Sequence, residues 1–175
     1  INRKLDQNAA RKLLTPGPLT TRYSVKHAML IDHCTWDDEY KAITTSVIND
    51  ITNISANNDY TTVLLQGSGT YAVEAMIDTL CWRDEKILFL VNGEYGKRML
   101  TIADKLRKNY KYLTFEMAQP IDVKAVEKEL QNEGDDIAVI AFVHCETTTG
   151  IINPLEEITK LSKSYGKKVF VDAMS

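Results

Sequence analysis

A chain of 175 residues, 44% apolar and 26% charged, is long enough for one domain with a sizeable core and has neither a disordered nor a fibrous composition. Its net charge of −3, with both signs interspersed, argues against a nucleic-acid partner, which favours clustered Lys and Arg. No continuous apolar run approaches a membrane-spanning length, and "INRKLDQNAARKLL" lacks the apolar segment of a secretory signal.

Residues 1–12 read as a polar lead-in or linker, and no boundary is marked after residue 15. "DDEYKAITTSVINDI" (37–51) places Tyr40, Ile43, Val47 and Ile51 on one helical face, with Asp37 as its cap. "YTTVLL" (60–65) is a short β-branched run with strand character. A helix is predicted over 69–80, a strand over 86–91, a helix over 95–108 and a strand over 111–116. In "DVKAVEKELQ" (122–131), Val123, Val126 and Leu130 share a face. "IAVIAFV" (137–143) is apolar at every position, as a strand covered on both sides must be. The next helix is well punctuated: Asn153 as cap, Pro154 in the first turn, acidic residues early, lysines late, and Gly166 to end it. "KKVFVD" (167–172) is the last strand. Such alternation predicts an α/β fold of three layers, a mostly parallel sheet with helices on both faces.

Ligands in such folds bind at the carboxyl ends of the strands. Four of these ends are rich in Gly, Ser, Thr and Asn, namely "QGSGT", "NGEYG", "HCETTTG" and the end carrying Asp172. Gly67, Ser68, Gly69 and Thr70 lie between a strand and a helix, where glycines, free N–H groups and hydroxyls suit a phosphate. They match neither a P-loop nor a dinucleotide fingerprint, and a tight turn with a Ser or Thr cap explains them equally well. Tyr95 between two glycines can lie flat on a planar ligand or pack on its own sheet. Thr147, Thr148 and Thr149 can bind ring substituents or satisfy a polar loop. Asp172 says most. A carboxylate closing a buried strand requires a cation or several donors, and a protonated pyridine nitrogen is such a partner. Phosphate cup, stacking ring, hydroxyls and pyridinium partner together describe a pyridoxal phosphate site. Cys34, Cys81 and Cys145 are scattered and unpaired in motif, which fits a reducing cytoplasm, and neither His-Cys pair has zinc-site spacing.

The segments "LLTPGPLTT", "VKHAML", "CTWDDEY", "LLQGSGTYAVEA", "VNGEYGKRM", "HCETTTGIINP" and "YGKKVFVDAMS" occur in the order found in class V, fold-type I pyridoxal phosphate aminotransferases, which the chain resembles from about Leu13 to its end. "LLTPGPLTT" with "CTWDDEY" is similar to the phosphonate branch of that family. The resemblance implies that 13–175 is the N-terminal part of a large cofactor-binding domain, with the small C-terminal domain absent. It implies pyridoxal 5′-phosphate as cofactor. Ser68, Gly69 and Thr70 would hold its phosphate, Tyr95 would stack on its ring, Thr147 would contact the ring hydroxyl region, and Asp172 would bind the ring nitrogen. Pro16, Gly17 and Pro18 would line the substrate end. Cys145 departs from the smaller polar residue or glycine expected there. The implied reaction moves the amino group of 2-aminoethylphosphonate to pyruvate, giving phosphonoacetaldehyde and alanine, in a cytoplasmic homodimer with no metal. The family's Schiff-base lysine and acid-binding arginine lie beyond Ser175, so this chain alone is expected to be incompetent. The alternatives are another class V aminotransferase, acting on alanine and glyoxylate or on serine and pyruvate, a non-catalytic phosphate or nucleotide binder, and a piece of a longer or fused protein.

Overall fold

The computed structural model describes residues 12–13, 20–54, 59–82 and 84–175. They fall into two units, 1–66 and 67–175. In the first, α1 (Tyr23–Ala28) and α2 (Asp38–Ile54) are the described helices. Ile43, Val47 and Ile51 share a face of α2 as expected, yet within this unit they remain 39–46% exposed. The Asp37 carboxylate accepts from Cys34 N at 3.1 Å, while its carbonyl accepts the Lys41 N–H of the helix. Residues 60–65, expected as a strand, form none among the described residues, and Val63, Leu64 and Leu65 are exposed. β-Branched composition favours a pleated surface, but a strand exists only where a partner receives its hydrogen bonds.

The second unit contains α3 (Gly69–Leu80), β1 (Lys86–Val91), α4 (Glu94–Lys105), β2 (Asn109–Thr114), α5 (Val123–Glu133), β3 (Ile137–Val143), β4 (Cys145–Glu146), β5 (Ile151–Ile152), α6 (Leu155–Ser164) and β6 (Lys168–Asp172). Four parallel strands form one sheet in the order β2-β1-β3-β6, and β4 and β5 form a small antiparallel hairpin. Strand alternation divides the core. Phe89, Val91, Val139, Ala141 and Phe170 face α3 and α4, whose Ile77, Met99 and Ala103 cover them. Leu88, Leu90, Ile140 and Phe142 face α5 and α6, whose Val126, Leu130 and Ile158 cover the other side. The expected three-layer, mostly parallel architecture is the one observed, and β3 is apolar throughout because both of its faces are covered.

Helix ends explain two shifted boundaries. The predicted helix over 95–108 stops at Lys105 because Arg107 turns into the left-handed region (φ 55°) and Lys108 leaves the axis. The Lys108 ammonium donates to the carbonyls of Asp78 and Cys81, at 2.9 Å each, closing the C-terminal end of α3. Strand β2 therefore starts at Asn109, two residues before the predicted 111. Gly166 ends α6 as expected, at φ +69°, a conformation that side chains disfavour.

Asn153 does not cap α6. Its side chain is buried and serves the sheet instead. Its Oδ1 accepts from Asn92 Nδ2 (2.8 Å) and Ile121 N (3.1 Å), and its Nδ2 donates to the Val143 carbonyl (2.8 Å) and Asn92 Oδ1 (3.2 Å). Asn92 Nδ2 also donates to the Gln119 carbonyl at 2.9 Å. This network ties the ends of β1 and β3 to the loop before α5. Replacing Asn153 with alanine strands several buried polar groups at once. Asn153→Ala is expected to lower the unfolding free energy by about 2–3 kcal/mol in urea titrations, with the far-ultraviolet spectrum of the folded state retained.

Candidate functional site

Between β1 and β3 the chain reverses its direction of travel across the sheet, first to β2 and then back past β1. The crevice at the carboxyl ends of these two strands is where doubly wound sheets bind ligands. Glu146 sits there, fully buried. Its carboxylate accepts from Tyr95 N (3.3 Å) and Gly96 N (3.4 Å) in the first turn of α4, and from Thr148 N (3.3 Å) and Thr148 Oγ1 (2.8 Å). A negative charge at a helix N-terminus is favourable, and four donors make its burial tolerable. Gly93 provides the room. A Cβ there would collide with Cγ and Cδ of Glu146 and stand 2.6 Å from Oε2. The "HCETTTG" segment is thus a hairpin, closed by Thr149 N and Gly150 N donating to the Glu146 carbonyl at 3.1 and 2.8 Å.

The start of α3 differs. Ser68 occupies the cap position with extended backbone (φ −81°, ψ 167°), but its exposed hydroxyl makes no capping hydrogen bond. Gly69 and Thr70 open the helix, and Gly69 borders a cavity of about 180 Å³. Ala72, Val73 and Met76 of α3 line one side, and Asp172 with Met174 the other. The Met174 side chain lies where a Cβ of Gly69 would be.

Asp172 reaches this cavity through register. It pairs with Val143 of β3, and its carbonyl accepts from His144 N at 2.8 Å. With a two-residue period it shares the face of Phe170, which packs toward α3 and α4. Its burial is only partial, and among the described residues its carboxylate accepts one hydrogen bond, from Met174 N at 3.1 Å, and pairs with no cation. A carboxylate with spare acceptor capacity beside an apolar lining fits a flat ring that offers a protonated nitrogen. The nearby helix start, with its backbone donors, fits that ring's anionic substituent.

Tyr95 stands in the first turn of α4, half-buried, with the Arg98 guanidinium 4.5 Å from its ring centroid. Arg98 Nη1 donates to Thr70 Oγ1 at 3.2 Å. Thr147 Oγ1 lies 2.6 Å from Ser175 Oγ. The structure therefore brings Gly69 and Asp172 to one cavity and joins Thr70 to Tyr95 through Arg98. Pro16, Gly17 and Pro18 lie outside the described residues. Arg98 and Glu146 have structural parts that sequence reasoning did not single out. The spacing of Arg98, one turn after Tyr95, was the available signal for the first.

Residues 36–175 match the family described as aminotransferase class-V. The chain belongs to the class-V aminotransferases. Enzymes of this family depend on pyridoxal 5′-phosphate. Curated relatives named 2-aminoethylphosphonate–pyruvate transaminase include one from Bacteroides fragilis, 47% identical over 166 residues, and one from Bacillus cereus, 49% identical over 165. Each alignment covers 93% of this chain but 46% and 48% of the relative, so the chain spans about half the length of the curated relatives it matches. Among solved structures, alanine–glyoxylate aminotransferase from Nostoc sp. superposes with a TM-score of 0.83 at 25% identity, over 93% of this chain and 43% of that one. Pyridoxamine–pyruvate aminotransferase from Mesorhizobium loti gives 0.82 at 24% identity, over 93% and 42%. These likenesses bear out the class-V, fold-type I architecture. Among the described residues of this class-V chain, no helix is long and apolar enough to cross a membrane.

Gly93→Ala tests the Glu146 lock. The methyl group must displace a buried carboxylate, so the variant is expected to lose about 1–3 kcal/mol of stability. Amide exchange should quicken at Tyr95 and Gly96, whose N–H groups the carboxylate holds.

Proposed function

We propose that the complete protein uses pyridoxal 5′-phosphate to transfer the amino group of 2-aminoethylphosphonate to pyruvate, giving phosphonoacetaldehyde and alanine. The observation that carries this reading is the shared cavity of Gly69 and Asp172, with an α3 start whose cap residue leaves its hydroxyl unused. The names of the curated relatives support the choice of substrates. Residues 13–175 would be the N-terminal part of the large cofactor-binding domain.

The bound cofactor supplies an electron sink for the carbon that loses or gains the amino group. Ser68, Gly69 and Thr70 hold the phosphate, through backbone N–H groups at the positive end of α3 and two hydroxyls. Tyr95 covers one face of the ring and Thr147 binds the ring hydroxyl region. Asp172 keeps the proton on the ring nitrogen: the carboxylate gains a cation, and the cation is spared deprotonation in a partly desolvated site. Pro16, Gly17 and Pro18 line the substrate end. None of the lysines in this chain is given the covalent role. The protein works in the cytoplasm as a homodimer on small molecules.

The test is to express the complete reading frame and follow alanine formation from pyruvate with 2-aminoethylphosphonate as donor. Robust transfer is expected, with Asp172→Asn lowering kcat by at least about 100-fold. A protein that ignores the phosphonate and accepts serine, or that prefers glyoxylate as acceptor, would overturn the substrate assignment while leaving the cofactor site intact.

A further inference from the structure

Arg98 touches two of the elements given cofactor contacts, and neither composition nor motif assigns it a part. It is exposed on α4. The carboxylate one turn before it, Glu94, is engaged by Lys97 at 2.6 Å. The Arg98 guanidinium instead lies 4.5 Å from the Tyr95 ring centroid and donates through Nη1 to Thr70 Oγ1 at 3.2 Å.

Hydrogen-bond inventory gives this contact a direction. A guanidinium has no acceptor, so the Thr70 oxygen must be the acceptor, and the hydroxyl hydrogen must point elsewhere. Two other helical threonines, Thr44 and Thr101, spend that hydrogen on the carbonyl four residues back, of Tyr40 at 3.0 Å and of Lys97 at 3.3 Å. Thr70 stands in the opening turn of α3, and among the described residues its hydroxyl has the Arg98 contact alone. An O–H whose oxygen already accepts from a cation is also the stronger donor. The same guanidinium covers one face of Tyr95, leaving the other for a planar group.

We propose, on the reading of α3 as the phosphate cup, that Arg98 is a positioning residue. It makes the Thr70 hydroxyl an obligate donor toward the phosphate and fixes the Tyr95 ring, so that the chain prefers the phosphorylated form of the cofactor over the form without phosphate.

Equilibrium dialysis of the complete protein with pyridoxamine 5′-phosphate and, separately, pyridoxamine measures that preference as a ratio of dissociation constants. Wild type should favour the phosphorylated form. Arg98→Met and Thr70→Val should each shrink the ratio about tenfold. In the Thr70→Val background, adding Arg98→Met should change the ratio by less than twofold, because the arginine acts through a hydroxyl that is already gone. Arg98→Gln is the milder second variant, expected to shift the ratio in the same direction. A merely structural arginine would lower the melting temperature and weaken both ligands alike. An unchanged ratio in both Arg98 variants, or effects that multiply in the double variant, overturns the proposal while Thr70→Val still supports the cup. Equal binding of the two forms by wild type, or none, overturns the cup and the proposal together.

Discussion

A carboxylate taken fully out of water is stable only where donors converge on it, and the site of this chain is arranged around one such group. Glu146 accepts from two N–H groups at the start of α4 and from the backbone and side chain of Thr148. It thereby fixes the segment carrying Tyr95 to the hairpin carrying Thr147. Removing the charge would leave four donors searching for partners. Adding a side chain at Gly93 would push the charge away from them. The two residues, far apart in sequence, make a single constraint.

That constraint also sorts the helix starts. The N-terminus of α4 points at the crevice between β1 and β3, the place where a doubly wound sheet ordinarily offers its positive helix end to an anion. Here the protein's own carboxylate takes that position. The first turn of α5 is likewise served from within, by the Asp122 side chain accepting from Lys124 N at 2.9 Å. Ser68 at the start of α3 makes no such bond. On the proposed reading the phosphate goes to α3 rather than to the more central α4, because α3 is the helix that shares a cavity with Asp172.

The elements with strong periodicity or unbroken apolar runs were legible in the sequence, because burial on one face or two leaves a direct trace in composition. Strands β1, β3 and β6, the apolar face of α5 and the stop at Gly166 are of this kind. What escaped were contacts across the sheet. Asn153 has every local mark of a helix cap, yet the unsatisfied ends of β1 and β3 outbid the helix for its amide. Glu146 reads as one more polar loop residue, and only the approach of Gly93 reveals that it is buried. The 60–65 run has strand chemistry and forms no strand among the described residues. For Asn153 and Glu146 the deciding neighbour lies tens of residues away, where local pattern carries no information.

Asp172 shows how far a local feature depends on such distant geometry. A terminal aspartate on a short strand can face either side of a sheet. Its side is chosen by the parallel register of β6 on β3, in which Phe170 meets Ala141 and Asp172 meets Val143. A slip of one residue would turn Phe170 out of the α3 and α4 core and carry the carboxylate to the α5 and α6 face. The apolar cost of exposing Phe170 therefore protects the position of a polar group two residues on. The Asp172 carbonyl adds a second lock by accepting from His144 N, just ahead of the Glu146 hairpin. Core packing, strand register and the buried carboxylate thus converge on one short stretch of chain, and the chemistry proposed for Asp172 depends on all three.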